Sequence, residues 1–146
     1  MEIVTNLQML RIPSTEVTSI EEADSIIKKL EDAFMELKEN GKNGYGIAAV
    51  QIGIYKRVSI VRMPDGLMVN LINPKIIVKE IPITFNESCY SLPGLVIKTD
   101  RYQYIQIENG FDKTVMAFSE LRAIVVQHEI AHMNGKTILD FKHRKK

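Results

Sequence analysis

Between residues 19 and 40, apolar side chains recur at helical spacing. Ile20, Ala23, Ile27, Leu30, Phe34 and Leu37 form one stripe with charged residues opposite, which predicts an amphipathic helix packing one face on a core. Ser19 and Glu22 make a capping-box pair at its start, and Gly41 is a natural stop. Residues 1–18 read as an extended leader, because Leu10-Arg11-Ile12-Pro13 discourages a helix. Beyond the helix the period changes. Arg57–Met63, Leu67–Val78 (interrupted at Asn73-Pro74) and Ile81–Phe85 carry strand patterns, with Asp65-Gly66 as a hairpin turn. Tyr102–Glu108 and Lys113–Phe118 read as another hairpin, turning at Asn109-Gly110. Residues 43–54, NGYGIAAVQIGI, hold three glycines around a small-residue run and read as a loop where backbone approaches something closely.

The last periodic segment runs from a Ser119 cap through Met133 to Asn134-Gly135. Leu121, Ala123, Ile124, Val125, Val126, Ile130 and Ala131 make it apolar almost all round, the profile of a helix buried on most sides. Gln127-His128-Glu129-Ile130-Ala131-His132 sits inside it. Residues four apart share a helix face, so both imidazoles can reach one metal ion while Glu129 serves as general base. Ionisable groups in so apolar a helix are costly unless a metal compensates. Two of the chain's three histidines lie here, and the pattern predicts metal-dependent hydrolysis. The expected fold is α+β: antiparallel sheets packed around this buried carboxy-terminal helix, with one amphipathic helix near the amino terminus.

Composition narrows the setting. The 146 residues fit one compact domain, 1–146, with no linker or repeat. Apolar residues are 45% and charged residues 25%, and a net charge of +1 gives no global field for DNA or anionic membrane. The basic tail Lys142–Lys146 is the exception. It reads as a solvated terminus, with ribosomal RNA as the partner it could touch. A single cysteine, Cys89, excludes an intramolecular disulfide and points to a reducing compartment. No signal-peptide pattern or bilayer-spanning run is present, so a cytoplasmic protein is expected.

A catalytic metal usually takes three protein ligands and keeps an open position. Downstream, only Asp140 and His143 are available. Upstream, Asn86–Gly94 places Cys89 in a polar, turn-rich stretch, although a lone cysteine is more often a buried hydrophobe. GYGIAAVQIG, ESCYSLPG and QHEIAH, in this order and separation, resemble the three signature motifs of the peptide deformylase family, GxGLAAxQxG, EGCLSxPG and QHExDHLxG. The resemblance covers nearly the whole chain.

That resemblance implies that Cys89, His128 and His132 hold one divalent metal, with Fe2+ the first choice and Zn2+, Ni2+ or Co2+ the alternatives. Glu129 would be the catalytic acid–base, and Gln51 and the backbone N–H of Tyr90 would face the developing oxyanion. Gly44, Tyr45, Gly46, Ile47 and Glu87 would contact substrate, an extended formylated nascent peptide whose first side chain is methionine. The family's short members, some phage-encoded, lack the carboxy-terminal helix of longer bacterial relatives. The expected place is thus the cytoplasm of a bacterium or of a phage-infected bacterial cell. Three positions depart from the motifs. Ser88 replaces a glycine and makes any special backbone angle there costlier. Tyr90 replaces leucine, a larger ring that reshapes the substrate pocket. Ala131 replaces an aspartate that anchors the helix. Two further readings remain: a generic HExxH peptidase with no role for Cys89, and a degenerate deformylase-like binding module. Anaerobic formate release with metal analysis separates them.

Overall fold

The computed structural model describes residues 2–144. The fold is α+β, with two three-stranded antiparallel sheets and a buried helix between their cores. A short helix, α1, spans Leu7–Leu10. The leader was expected to be extended throughout. Asn6 overrides that expectation, because its side chain accepts the N–H groups of Gln8 and Met9. Helix α2 spans Ile20–Glu39, and the Ser19 hydroxyl accepts the Glu22 N–H. The Glu22 carboxylate reaches back to the Thr18 N–H, one residue earlier than an ideal box. Ala23, Ile26, Ile27, Leu30, Ala33 and Leu37 are its buried residues. Ile20, expected in the stripe, is 62% exposed, because the first turn projects past the core.

Residues 43–54 are more ordered than the expected loop. They form strand β1 (Gly46–Ala48) and a 3-10 turn over Ala49–Ile52. The strand exists through pairing with β2 (Val58–Arg62), a non-local contact that a glycine-rich sequence does not advertise. Strand β3 (Met68–Ile72) completes this sheet, in the order β1-β2-β3, so β1 is an edge. The turn between β2 and β3 closes at Gly66, whose φ is 89°.

The second sheet is dominated by a long hairpin of β4 (Lys75–Cys89) and β5 (Leu92–Asn109), with β6 (Thr114–Ser119) beside β5. The segment around Cys89 is therefore a strand end, closed by a two-residue turn into β5. Helix α3, Leu121–Met133, follows β6. Ser119 does not cap it. Ser119 stays in the ladder opposite Tyr104, and Glu120, at φ 57°, reverses the chain and takes the N-cap position without a side-chain bond. Ten of the thirteen α3 residues are buried, as an all-round apolar pattern requires. A 3-10 turn over Ile138–Phe141 ends the regular structure. Among the described residues, no helix is long and apolar enough to cross a membrane.

Candidate active site

Three elements meet at the site. Cys89 ends β4, His128 and His132 lie one turn apart on α3, and Gln51 sits on the 3-10 turn after β1. The ligand atoms of Cys89, His128 and His132 all lie within 4.8 Å of one another. His132 Nε2 is 3.4 Å from the Cys89 sulfur and 3.2 Å from His128 Nε2. Cys89 and His132 are buried, and His128 keeps one edge toward a cleft of about 410 Å³. Asp140 and His143, the downstream candidates, are elsewhere. Asp140 accepts the Thr137 N–H, and His143 pairs with Asp100 at 2.7 Å on the solvated surface.

The donor set fits a cation. Two imidazole Nε2 atoms face each other and a sulfur, an arrangement that needs a positive centre to be favourable. Burial would strip His128 of its proton, yet Cys89 and Glu87 outweigh it and hold the ring's pKa up at about 10 in the metal-free protein. Burial, with the charge on His128, drives His132 well below its ordinary range, leaving a neutral ring able to ligate. Beside them Glu129 is 3% exposed, and its Oε1 has no hydrogen-bond partner among the described residues. Burial pushes this carboxyl up to about 7.

Glu87 stands behind His128 at the edge of the cleft. Its Oε1 lies 2.8 Å from His128 Nδ1 and accepts from Arg101 Nη2 at 3.0 Å, while Oε2 accepts from Arg101 Nε and the Thr99 hydroxyl. Both oxygens are thus bonded within the protein, and Glu87, while lining the cleft, is placed to orient a candidate ligand. Burial raises its pKa, but the hydrogen bonds to His128 and Arg101 prevail and hold it at about 2. Arg101 forms a buried ion pair with Glu87.

The cleft wall opposite the helix is β1. Arg62 donates its N–H to the Tyr45 carbonyl at 2.6 Å, and the Ser59 hydroxyl donates to the Ile47 carbonyl at 2.8 Å. Antiparallel alternation then turns Ile47 toward β2 and leaves the Gly46 N–H and C=O on the open edge. Ile47, expected to contact substrate, is wholly buried in the core and does not line the cleft. Gly46 does line it, and a Cβ there would fall 2.8 Å from Glu129 Oε2. Gln51 is fixed by the Ala48 N–H donating to its Oε1, while its Nε2 donates to Ser91 Oγ and lies 3.6 Å from the Cys89 sulfur.

Tyr90 closes the cleft on one side. Its hydroxyl accepts the Gly44 N–H at 2.5 Å, and a Cβ on Gly44 would overlap the ring. Tyr45 is an exposed rim residue with the Arg62 guanidinium 5.8 Å from its ring centre. Ser88 has no left-handed backbone, so the lost glycine imposes no angular strain. Ala131 is buried against the core. Ile124 and Val125, which sequence reasoning missed as cleft residues, supply an apolar wall. Their places one helical turn before His128 and Glu129 were the available signal. Lys145 and Lys146 of the basic tail lie outside the described residues; Lys142 bridges Thr99 on β5.

Known proteins combine this architecture with this sequence. Residues 1–146 match the family model described as polypeptide deformylase. A peptide deformylase of Helicobacter pylori (strain Shi470) is 33% identical over 147 residues, covering 92% of this chain and 84% of the relative. The crystal structure of the Thermotoga maritima peptide deformylase superposes with a TM-score of 0.84 at 26% identity, covering 99% of this chain and 97% of that one. One from Legionella pneumophila gives 0.83 at 27%, covering 98% and 85%. Sequence, fold and ligand cluster agree that this chain belongs to the peptide deformylase family, metal-dependent hydrolases that remove the N-terminal formyl group from nascent polypeptides.

Proposed function

We propose that this chain, as one catalytic domain, deformylates formyl-methionyl peptides with Glu129 as acid–base and Cys89, His128 and His132 holding one ferrous ion. Gln51 Nε2 and the Tyr90 N–H donate to the oxygen that becomes negative. The observation carrying this reading is the convergence of one sulfur and two Nε2 atoms beside a buried carboxylate with an unpaired oxygen. When bound, a divalent cation supplies Lewis acidity to water and to the substrate carbonyl.

Glu129, buried with one oxygen unpaired, takes a proton from water and returns it to the leaving amine. Gln51 is oriented in advance by the Ala48 N–H at Oε1, and its Nε2 turns one N–H from Ser91 Oγ or the Cys89 sulfur to the oxyanion; losing such a donor typically costs ~100-fold or more. The open edge at Gly46 pairs with an extended peptide backbone, while Ile124 and Val125 meet the first side chain. Tyr45 and Gly44 form the rim. A formyl carbon bears only hydrogen, so a site that closes tightly around it excludes bulkier acyl groups by sterics.

One thiolate and two imidazoles form a borderline-soft set that suits iron or zinc, and iron with thiolate explains why oxygen would inactivate the enzyme. The test is anaerobic formate release from formyl-Met peptides, with metal measured on the same sample. Glu129→Ala should retain one iron per chain and lose turnover by ~100-fold or more. Turnover retained in a metal-replete variant would overturn the role of Glu129. Activity indifferent to both air and added Fe2+ would overturn iron.

A further inference from the structure

The last described segment lies against the back of the metal centre. Ile138 packs in one buried cluster with Cys89 and Leu92, with Leu139 at its margin. Three residues on, the Phe141 ring lies with its centre 4.3 Å from the Arg101 guanidinium carbon. Arg101 has only 2% of its side chain exposed and forks onto Glu87, whose Oε1 faces His128 Nδ1. The segment is pinned at both ends. Thr137 and Asp140 cap its turn reciprocally; beyond Phe141, Lys142 bridges Thr99, the His143 N–H donates to the Lys98 carbonyl at 2.7 Å, and its ring pairs with Asp100.

A guanidinium held by a carboxylate in its plane still has a free π face, and an aromatic ring stacked there fixes the plane's tilt. We propose that Phe141 is a positioning residue for the metal centre: by fixing the Arg101 fork it fixes Glu87, and through Glu87 the orientation of the His128 ring. This rests on His128 being a metal ligand. The carboxy-terminal turn is then a brace for both sides of the site, Cys89 through Ile138 and His128 through Phe141.

Co2+ alone, bound to the full chain, is the probe. Dissociation into excess chelator and the cobalt absorption bands are recorded for wild type, Phe141→Leu, Phe141→Tyr and Arg101→Lys. Phe141→Leu keeps an apolar side chain but no π face, and should release Co2+ about 10-fold faster with shifted bands, as loss of a partner behind a ligand does. Arg101→Lys, which cannot fork, should do the same, whereas Phe141→Tyr should restore both readouts. Phe141→Met substitutes if the leucine variant does not fold. Wild-type dissociation and spectrum in the leucine or methionine variant would overturn the brace. His128→Ala separates the two failures: if it binds Co2+ as tightly as wild type, the ligand assignment falls; if it loses the ion while Phe141→Leu keeps it, only the brace falls.

Discussion

Glu87 carries its negative charge where burial alone would remove it. The charge survives because Arg101, Thr99 and His128 surround the carboxylate. Its folded pKa of about 2 lies below the ordinary 4.5, so the stability it contributes is present above pH 4.5 and lost as pH falls toward 2. In the metal-free protein this amounts to something on the order of 3 kcal/mol. Acid unfolding followed by circular dichroism should be steep across that window in wild type. Glu87→Gln should be less stable at neutral pH and flatter below pH 4.5; equal slopes would contradict the account. The sequence shows the limits of reading such a residue in isolation. Cys89, His128, Glu129 and His132 are legible because their chemistry is rare and their spacing regular. The partners of Glu87 are legible only once the β4–β5 register, which pairs it with Ile97, brings Thr99 and Arg101 within its diagonal reach on the same face.

Elements were legible in proportion to how local their causes are. Helix α2 follows from its stripe and its cap, and the two hairpin turns from Asp65-Gly66 and Asn109-Gly110. Strand β1 was hidden because its partner supplies the order, and α1 because one asparagine outweighs an unfavourable run. Strand β4 reads as pieces because Lys79-Glu80 breaks the apolar pattern, although the ladder runs on through Pro82, and the residue before that proline is strained. Ile81 has φ 62°, a left-handed conformation that costs a β-branched residue about 1–2 kcal/mol. Its side chain is 56% exposed, so little packing is lost on truncation. Ile81→Gly should raise the melting temperature by about 2–4 °C, corresponding to ~1 kcal/mol. A lower melting temperature in that variant would show that the angle is not strained.

Across the whole molecule, the site ties together parts of the chain that fold separately. Cys89 belongs to the long hairpin and the histidines to α3, so a shared ion closes a loop of about 40 residues, worth about 4 kcal/mol as a cross-link. Stripping the metal anaerobically should lower the melting temperature, and re-addition should restore it, measured by scanning calorimetry. A transition unmoved by chelation would mean that the ion does not bridge the two elements. The α+β class was legible from alternating periods, but the way α3 threads between the two sheet cores was not, since no local pattern encodes which faces meet.

The leader is held at two separate places, one of them the end of α3. The Ser14 N–H donates to the Met133 carbonyl at 2.9 Å, and a Cβ on Gly135 would strike the Arg11 carbonyl. Residues 11–14 are therefore seated by the end of α3, whereas Ile3 and Val4 are seated by α2 and the turn at Gln51. Fraying at the end of α3 should therefore release residues 11–14 first, while the Val4 N–H stays on the Gln51 carbonyl and Ile3 stays packed on the α2 core.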